Sequence, residues 1–394
     1  MKLIRERKLT KPILIALVLV AASSVFALPA DPDNAALLYY QVFLIHERPD
    51  DTMQDMIADF ADGKIEADSR ITKFIETQKT VIELAAAAAE LPDCDWGLKY
   101  SQGFAMQIPY LVQTKQVARL ILADARISAA KGDYNLAIDR YLTARKFAVH
   151  IALEPTIINL LVGISIEKIA NKCIQDILSS ASIKPETLQY LNAQLDQIDN
   201  NLLPIKLYYD TEREVMTMYM TSEKTRQVLP FLDSERESKF NEARELILTA
   251  DEQFYQSNRQ YFNEHMNAIF SALELPYQQG YVELKRLDEG PPEQFKENPD
   301  ATMTAIMAPA VHKIYNHDVS RKTFSNVLKA ALEIYIIAAG TGKLPDVLPA
   351  GLPKDLFSGE DFEYEKKADG FVLSCRAKDL DEDKIHEYEF KLRK

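Results

Sequence analysis

Glycine and cysteine are scarce in this chain of 394 residues, and both scarcities restrict what it does. Its 12 glycines never form a phosphate-cradling G-x-G-x-x-G, a P-loop or a G-x-S-x-G nucleophile turn, so the common signatures of nucleotide binding and serine hydrolysis are missing. Its cysteines, Cys94, Cys173 and Cys375, contain no C-x-x-C pair, which removes the usual zinc and dithiol motifs. An odd number of cysteines leaves at least one thiol free, and the expected state is three mostly buried thiols. Positive charge is also in deficit: the formal net charge is −13. Such a surface repels phosphate backbones, so nucleic acid is not an expected partner.

What the chain has in abundance favours helices. Alanine, leucine, glutamate and glutamine replace glycine, which costs about 1 kcal/mol relative to alanine inside a helix. The ends of the chain differ from its middle. Lys2, Arg5, Arg7, Lys8 and Lys11 precede the uncharged run Ile13 to Ala22, and Val25 and Ala27 follow at the −3 and −1 positions of a cleavage site. That is the layout of a secretory signal spanning 1–27, with cleavage after Ala27. Ten apolar residues fall short of the roughly 20 a spanning helix needs. The expected location is therefore outside the cytoplasm, in the periplasm or cell envelope, with membrane attachment only through an uncleaved signal.

Periodicity then predicts a mainly α fold: a multi-helix bundle over 28–287, with a linker at 288–300, further helices over 301–340 and a small antiparallel β-rich tail over 341–394. Helices are expected from Asn34 to Glu47, Asp68 to Leu91, Pro109 to Ile127 and Tyr134 to His150. Pro92 to Gly97 breaks the series as a loop. Thr156 to Leu178 is nearly apolar all round and belongs at the centre of a bundle. Glu167 lies within it and needs an ion partner, for which Lys168 and Lys172 are nearest in sequence. Later helices are expected over Lys184 to Asn200, Leu207 to Val228, Ser234 to Leu287 with an interruption at Pro276, and Ser320 to Ala339. Gly290-Pro291-Pro292 marks the linker. Strands are expected at Phe362 to Glu365, Phe371 to Ser374 and Glu387 to Leu392, from their alternating residues.

Ala125, Gly132, Asp133, Tyr134, Ala137, Ile138, Tyr141 and Ala144 resemble one tetratricopeptide unit. The resemblance implies a helical hairpin with Ala125, Ala137, Tyr141 and Ala144 along its inner seam and Asp139 and Arg140 outside it. Leu91 to Gly97, followed by Tyr100-Ser101, Gly103 and Ile108-Pro109, resembles a motif of exported helical proteins from planctomycete-type bacteria. That resemblance covers 34–180 and implies kinship without an activity. Gly342 to Pro345, Leu352 to Asp355, Ser358-Gly359, Tyr364 and Gly370-Phe371 are similar to the C-terminal part of type II secretion pseudopilins. It implies a small sheet beside a stem helix, in some members with calcium. Here a large helical region comes first, so a shared packing motif is expected rather than a pilin subunit.

Two groups of residues are candidates for binding. Asp93, Asp95 and Trp96, with Tyr100 and Tyr110 nearby, place the single tryptophan in an acidic loop. Such aromatics bind sugars or peptides, but more often plug the end of a bundle. Asp379, Asp381 and Asp383 alternate as calcium-loop carboxylates do, although Lys384 and Phe390 stand where an EF-hand needs Gly and Glu. Calcium at this acidic turn is the only cofactor the sequence suggests. His150 and Glu154, four apart, lack a third ligand and are expected to share a surface hydrogen bond. His312 and His317, five apart, fall on different helix faces. No catalytic residue is assigned. The expected function is a non-enzymatic envelope scaffold with a protein partner. The alternatives are a component associated with a type II secretion or pilus-like apparatus, and an enzyme whose pocket is spread over several helices.

The signal layout generates a direct test. Mass spectrometry of the protein from its native host should find a mature N-terminus at Leu28; an intact Met1 in a soluble cytoplasmic fraction would overturn the expectation of export.

Overall fold

The structure, a computed structural model, describes residues 31–180, 182–228, 237–308 and 310–392. The signal residues, with Val25 and Ala27, lie outside the described residues. Among the described residues the fold is mainly helical with a three-stranded antiparallel sheet near the C-terminus. No described helix is long and apolar enough to cross a membrane. The helices are α1 (Ala35–Ile45), α2 (Asp51–Ala61), α3 (Ser69–Thr77), α4 (Lys79–Ala89), α5 (Leu111–Ala130), α6 (Tyr134–Ala152), α7 (Ile157–Ser180) and α8 (Pro185–Asn200). They continue with α9 (Ile205–Tyr219), α10 (Ser222–Val228), α11 (Glu237–Thr249), α12 (Glu252–Leu273), α13 (Tyr277–Gln294), α14 (Thr302–Met307) and α15 (Val311–Thr341). The strands are β1 (Glu363–Lys366), β2 (Gly370–Ser374) and β3 (Glu387–Lys391).

Side-chain caps start many of these helices where the sequence offers them. Asn34 accepts from the Ala36 amide, Asp50 from Met53, Asp133 from Leu136 and Asp251 from Phe254. Each satisfies one of the amides that a helix start leaves free. The Asp50 cap opens α2, a helix missing from the sequence reading. The single helix expected over Asp68 to Leu91 is two, broken at Gln78. That side chain is buried and its Oε1 accepts from the Glu47 amide at 3.2 Å. A buried amide needs partners, and this one finds its partner on the segment after α1.

The expected linker over 288–300 is a second correction. Helix α13 continues through Pro291 and Pro292 to Gln294, and a short 3-10 turn, Pro299–Ala301, leads into α14. Two adjacent prolines lack amides, as the first turn of any helix effectively does, so Pro291 to Gln294 behaves like a new first turn set on the old helix. Asn34–Lys394 form one compact unit.

Helices α5, α6 and α7 make the centre of that unit, each packed on the other two. Gly132, at φ +83°, turns the chain between α5 and α6. Ala125, Ala137, Tyr141 and Ala144 are fully buried. Arg140 is not the exposed neighbour expected: it is 5% exposed, because its guanidinium pairs with Asp124 of α5 at 2.8 Å and with Glu83 of α4. Asp139 is exposed, as expected. Around this centre α1 packs on α4, α2 on α5, and the long α15 on α7, α8 and α13.

The sheet has the order β1-β2-β3, with Tyr364 opposite Leu373 and Phe371 opposite Phe390. Its apolar face carries Phe371, Leu373 and Phe390, all fully buried, and Tyr335 of α15 meets the rings of Phe371 and Phe390 edge-on. Strand β3 is an edge, yet it is not free. Gln175 of α7 donates to the Glu389 carbonyl at 3.0 Å, and the Lys391 amide donates to Ser179 Oγ at 3.3 Å. Helix side chains thus occupy ladder positions that another strand would otherwise take.

The buried hairpin seam and the buried Arg140 give a paired test by chemical denaturation. Ala137→Phe overpacks the seam and should cost roughly 1–3 kcal/mol. Arg140→Ala strips Asp124 and Glu83 of their partner and should also destabilise by about 1 kcal/mol or more, whereas Asp139→Ala should stay within about ±0.5 kcal/mol. Equal midpoints for all three variants would contradict this packing.

Candidate functional site

The densest polar constellation lies where α6, α7, α8 and α15 meet. Glu167, on the otherwise apolar α7, is 2% exposed. Its partners are not Lys168 or Lys172 but Arg145 of α6, with Oε1 2.7 Å from Nη1, and Arg321 of α15, with Oε2 3.2 Å from Nη1. Lys172 pairs with Asp176 instead, on the outer face of α7. Arg145 is completely buried and also donates to Asn171 at 2.7 Å and Asp199 at 3.0 Å. Arg321 reaches Asp318 at 2.6 Å, Lys322 completes Asp318, and Lys329 links Asp199 to Asp196.

Cations and anions balance in this network, and the electrostatics follow. Burial alone disfavours the charge on Arg145 and Arg321, but Glu167 and the neighbouring aspartates outweigh it and hold both guanidinium groups charged above their ordinary range. Burial pushes the Asp318 carboxyl up, while Arg321 and Lys322 pull it further down, below the ordinary carboxylate range. Every acid here has a cation against it. Such an arrangement fixes helices; it does not shuttle protons. Sequence reasoning found Glu167 but missed Arg145 and Arg321. The available signal was an arginine one residue beyond Ala144, on a helix whose neighbours are apolar.

The aromatic loop is a plug. Trp96 is 3% exposed and Tyr110 1%, their rings stacked 4.0 Å apart. Trp96 Nε1 donates to the His150 carbonyl at 3.0 Å and its amide to Glu154 Oε1 at 3.2 Å. Tyr100 donates to Glu154 Oε2. The Asp93 carbonyl accepts from the Ala35 amide at 2.8 Å, and Asp95 joins Asn34 through both its amide and its carbonyl. Five residues expected at one site are thus brought together, but as the joint between α1 and the α6–α7 turn. His150 and Glu154 are not at the surface as expected: both are buried, His150 against Tyr39 at 3.0 Å.

The acidic turn arranges its residues differently from the expected triple. Asp381 accepts from Tyr281 at 3.0 Å and Asp383 pairs with Lys378. Asp379 is fully buried and gathers Glu382 and His386, whose ligand atoms lie within 4.8 Å of it and of each other. His312, discounted from sequence, pairs with Asp288 of α13, which also accepts from the His312 amide at 2.8 Å and so caps α15.

Potential nucleophiles are suppressed by their surroundings. Burial raises all three thiols, Cys173 to about 11 and Cys94 and Cys375 further, so the thiolate is scarce at neutral pH. All three are free. A cavity of about 380 Å³ lies between the C-terminal end of α15 and the β1–β2 turn, lined by Ile183, Leu188, Tyr335, Leu344 and Lys367. The ion network and the aromatic plug are not among its lining residues.

Buried histidines make stability depend on pH. Burial lowers both His150 and His265 to about 4, against about 6.5 unfolded. The unfolded chain therefore binds more protons between pH 6.5 and 4, and stability is lost as pH falls through that window. Urea midpoints measured at pH 7 and pH 4.5 should fall by an amount worth roughly 1–3 kcal/mol, and His150→Leu should shrink the difference. A pH-independent midpoint would contradict the burial of these rings.

Compared with protein-family models, with curated proteins and with solved structures, the chain matches none.

Proposed function

We propose that this protein is an exported interaction scaffold of the cell envelope, working by contact rather than by catalysis. The observation that carries the reading is α1. Its sequence, AALLYYQVFLI, contains no charged residue, on a chain whose net charge is −13. One side of α1 is built into the core through Ala35, Ala36, Tyr39, Val42 and Phe43. The other leaves Leu37 46%, Leu44 84% and Ile45 45% exposed. Single exposed apolar residues are ordinary, but three on one short uncharged helix form a face suited to another protein's apolar surface. A helix this apolar is usually buried all round.

Two further observations support a binding role. The strongest polar groups, Glu167, Arg145 and Arg321, are engaged with one another, and burial quenches the three thiols. The basic start and short apolar run support export. A second reading, association with a secretion or pilus-like apparatus, is favoured by the sheet lying against the last turns of α15 through Tyr335.

The partner we propose is an envelope protein presenting an apolar helix or groove to α1. The test uses the full chain and a Leu37→Glu/Leu44→Glu double variant as baits in solubilised envelope fractions. Both changes sit at exposed positions, so the circular dichroism of the two baits should agree. A protein retained by the wild-type bait and lost by at least tenfold from the variant supports the reading; the same proteins on both baits would overturn α1 as the contact face.

A further inference from the structure

The turn between β2 and β3 has a feature that the scaffold reading does not use. It brings a fully buried aspartate, Asp379, an exposed glutamate, Glu382, and a partly buried histidine, His386, within reach of one point, with one ligand atom from each lying within 4.8 Å of the others. We infer that Asp379, Glu382 and His386 form a binding site for a divalent transition ion of the zinc class, placed at the joint between the β tail and α15.

The chemistry of the donors selects the ion. One imidazole nitrogen with two carboxylate oxygens suits zinc, which takes nitrogen and oxygen in a tetrahedral set. Calcium needs six to eight oxygens, and Asp381 and Asp383, which would have to supply them, are held by Tyr281 and Lys378. The spacing is compatible. Zinc bonds of about 2.0–2.1 Å set tetrahedral ligand atoms about 3.3 Å apart, and Asp379 Oδ2 lies 3.0 Å from His386 Nε2. The ion would take the place of the proton between them. Glu382 is exposed and closes the site by a change of rotamer, and the fourth position is left to water.

The two inner ligands are also held by the groups around them. Asp379 Oδ2 accepts from Asn316 at 3.2 Å and from Ser320 at 3.3 Å, both on α15. Its Oδ1 accepts from the Asp381 and Glu382 amides at 2.9 and 3.0 Å. The His386 ring lies near-parallel to those of Phe357 and Tyr388, at interplanar angles of 18° and 24°. Metal ligands are characteristically held in this way by an outer layer of hydrogen bonds and packing. Because Asn316 and Ser320 belong to α15, an ion here would tie the β2–β3 turn to the helix. Lys384 opposes binding, since its ammonium pairs with Glu382, and that opposition provides a gain-of-affinity variant.

The test is titration of the full chain with cobalt(II) chloride and then zinc chloride, in a buffer without chelating groups. One equivalent of cobalt should give the visible absorption of a four-coordinate nitrogen–oxygen site, and zinc should displace it. Glu382→Gln, at an exposed position, should weaken binding at least tenfold. His386→Gln should abolish the cobalt spectrum, and Lys384→Ala should tighten binding severalfold. Zinc should also slow proteolysis of the tail in the wild type but not in Glu382→Gln. Absence of one-to-one binding would overturn the site. So would equal affinity in the wild type and Glu382→Gln, which would indicate an adventitious ion only.

Discussion

Glu167 holds the centre of this structure because it cannot stand alone. An unpaired carboxylate inside an apolar helix would cost several kcal/mol or give up its charge. Here two guanidinium groups from different helices reach it, Arg145 from α6 and Arg321 from α15. Arg145 precedes Glu167 by 22 positions and Arg321 follows it by 154. The pair therefore fixes the α6–α7 register locally and the position of α15 globally. Removing any one of the three would leave the buried network with one charge in excess, a loss of about 3–5 kcal/mol. Apolar packing would tolerate small rotations of α15; two ion pairs of fixed geometry do not.

From α15 the order passes to the tail. A three-stranded sheet this small is marginal unless it buries its face, and Phe371, Leu373 and Phe390 do so beside Tyr335. Gly370 has no room for a side chain: a Cβ there would stand 1.9 Å from the Phe390 carbonyl oxygen. Two buried aspartates then fold the loops. Asp355 accepts from the Phe357 and Arg376 amides and from Ser358, and Asp379 collects α15 side chains and the turn's own amides. The acidic residues of the tail thus fall into two kinds, those that organise turns from inside and those that stay in water.

That division explains what was legible in the sequence. Most of the helical segments, the break at Pro92 and all three strands could be read, because period and proline act locally, although α2 was missed and Leu207 to Val228 and Ser234 to Leu273 each divide into two helices. So could the burial of Ala125, Ala137 and Ala144, whose small size suits a tight helix crossing, and of Tyr141, which fills the gap beside them. Other errors are non-local. Gln78 breaks a helix because Glu47 offers it a partner 31 residues away, and Arg140 is buried because Asp124 and Glu83 receive it. Lys168 and Lys172 were the nearest cations to Glu167 in sequence, but the fold supplied arginines from other helices. At the acidic turn, alternation pointed to Asp379, Asp381 and Asp383. Tight turning instead leaves Asp379 inside with Glu382 and His386, while Asp383 takes φ +49° and its carboxylate pairs with Lys378.

The distribution of charge also bears on where contact with other molecules can occur. Charged residues in this chain either neutralise one another inside or lie on the outside with an excess of negative charge, and a net anionic surface discourages non-specific association. A partner must therefore find a place where that charge is thin. Helix α1 is such a place, since no side chain between Ala35 and Ile45 carries charge. Its anchoring is unusually firm for a surface helix: Tyr39 reaches His150, Tyr40 donates to the Trp96 carbonyl, and Phe43 stacks on Trp96. The aromatic plug that looked like a binding site in the sequence therefore holds the apolar face from behind. A rigid support spares a contact surface the entropy of ordering itself on binding, so in the proposed contact Trp96 would serve by keeping Leu37 and Leu44 in place.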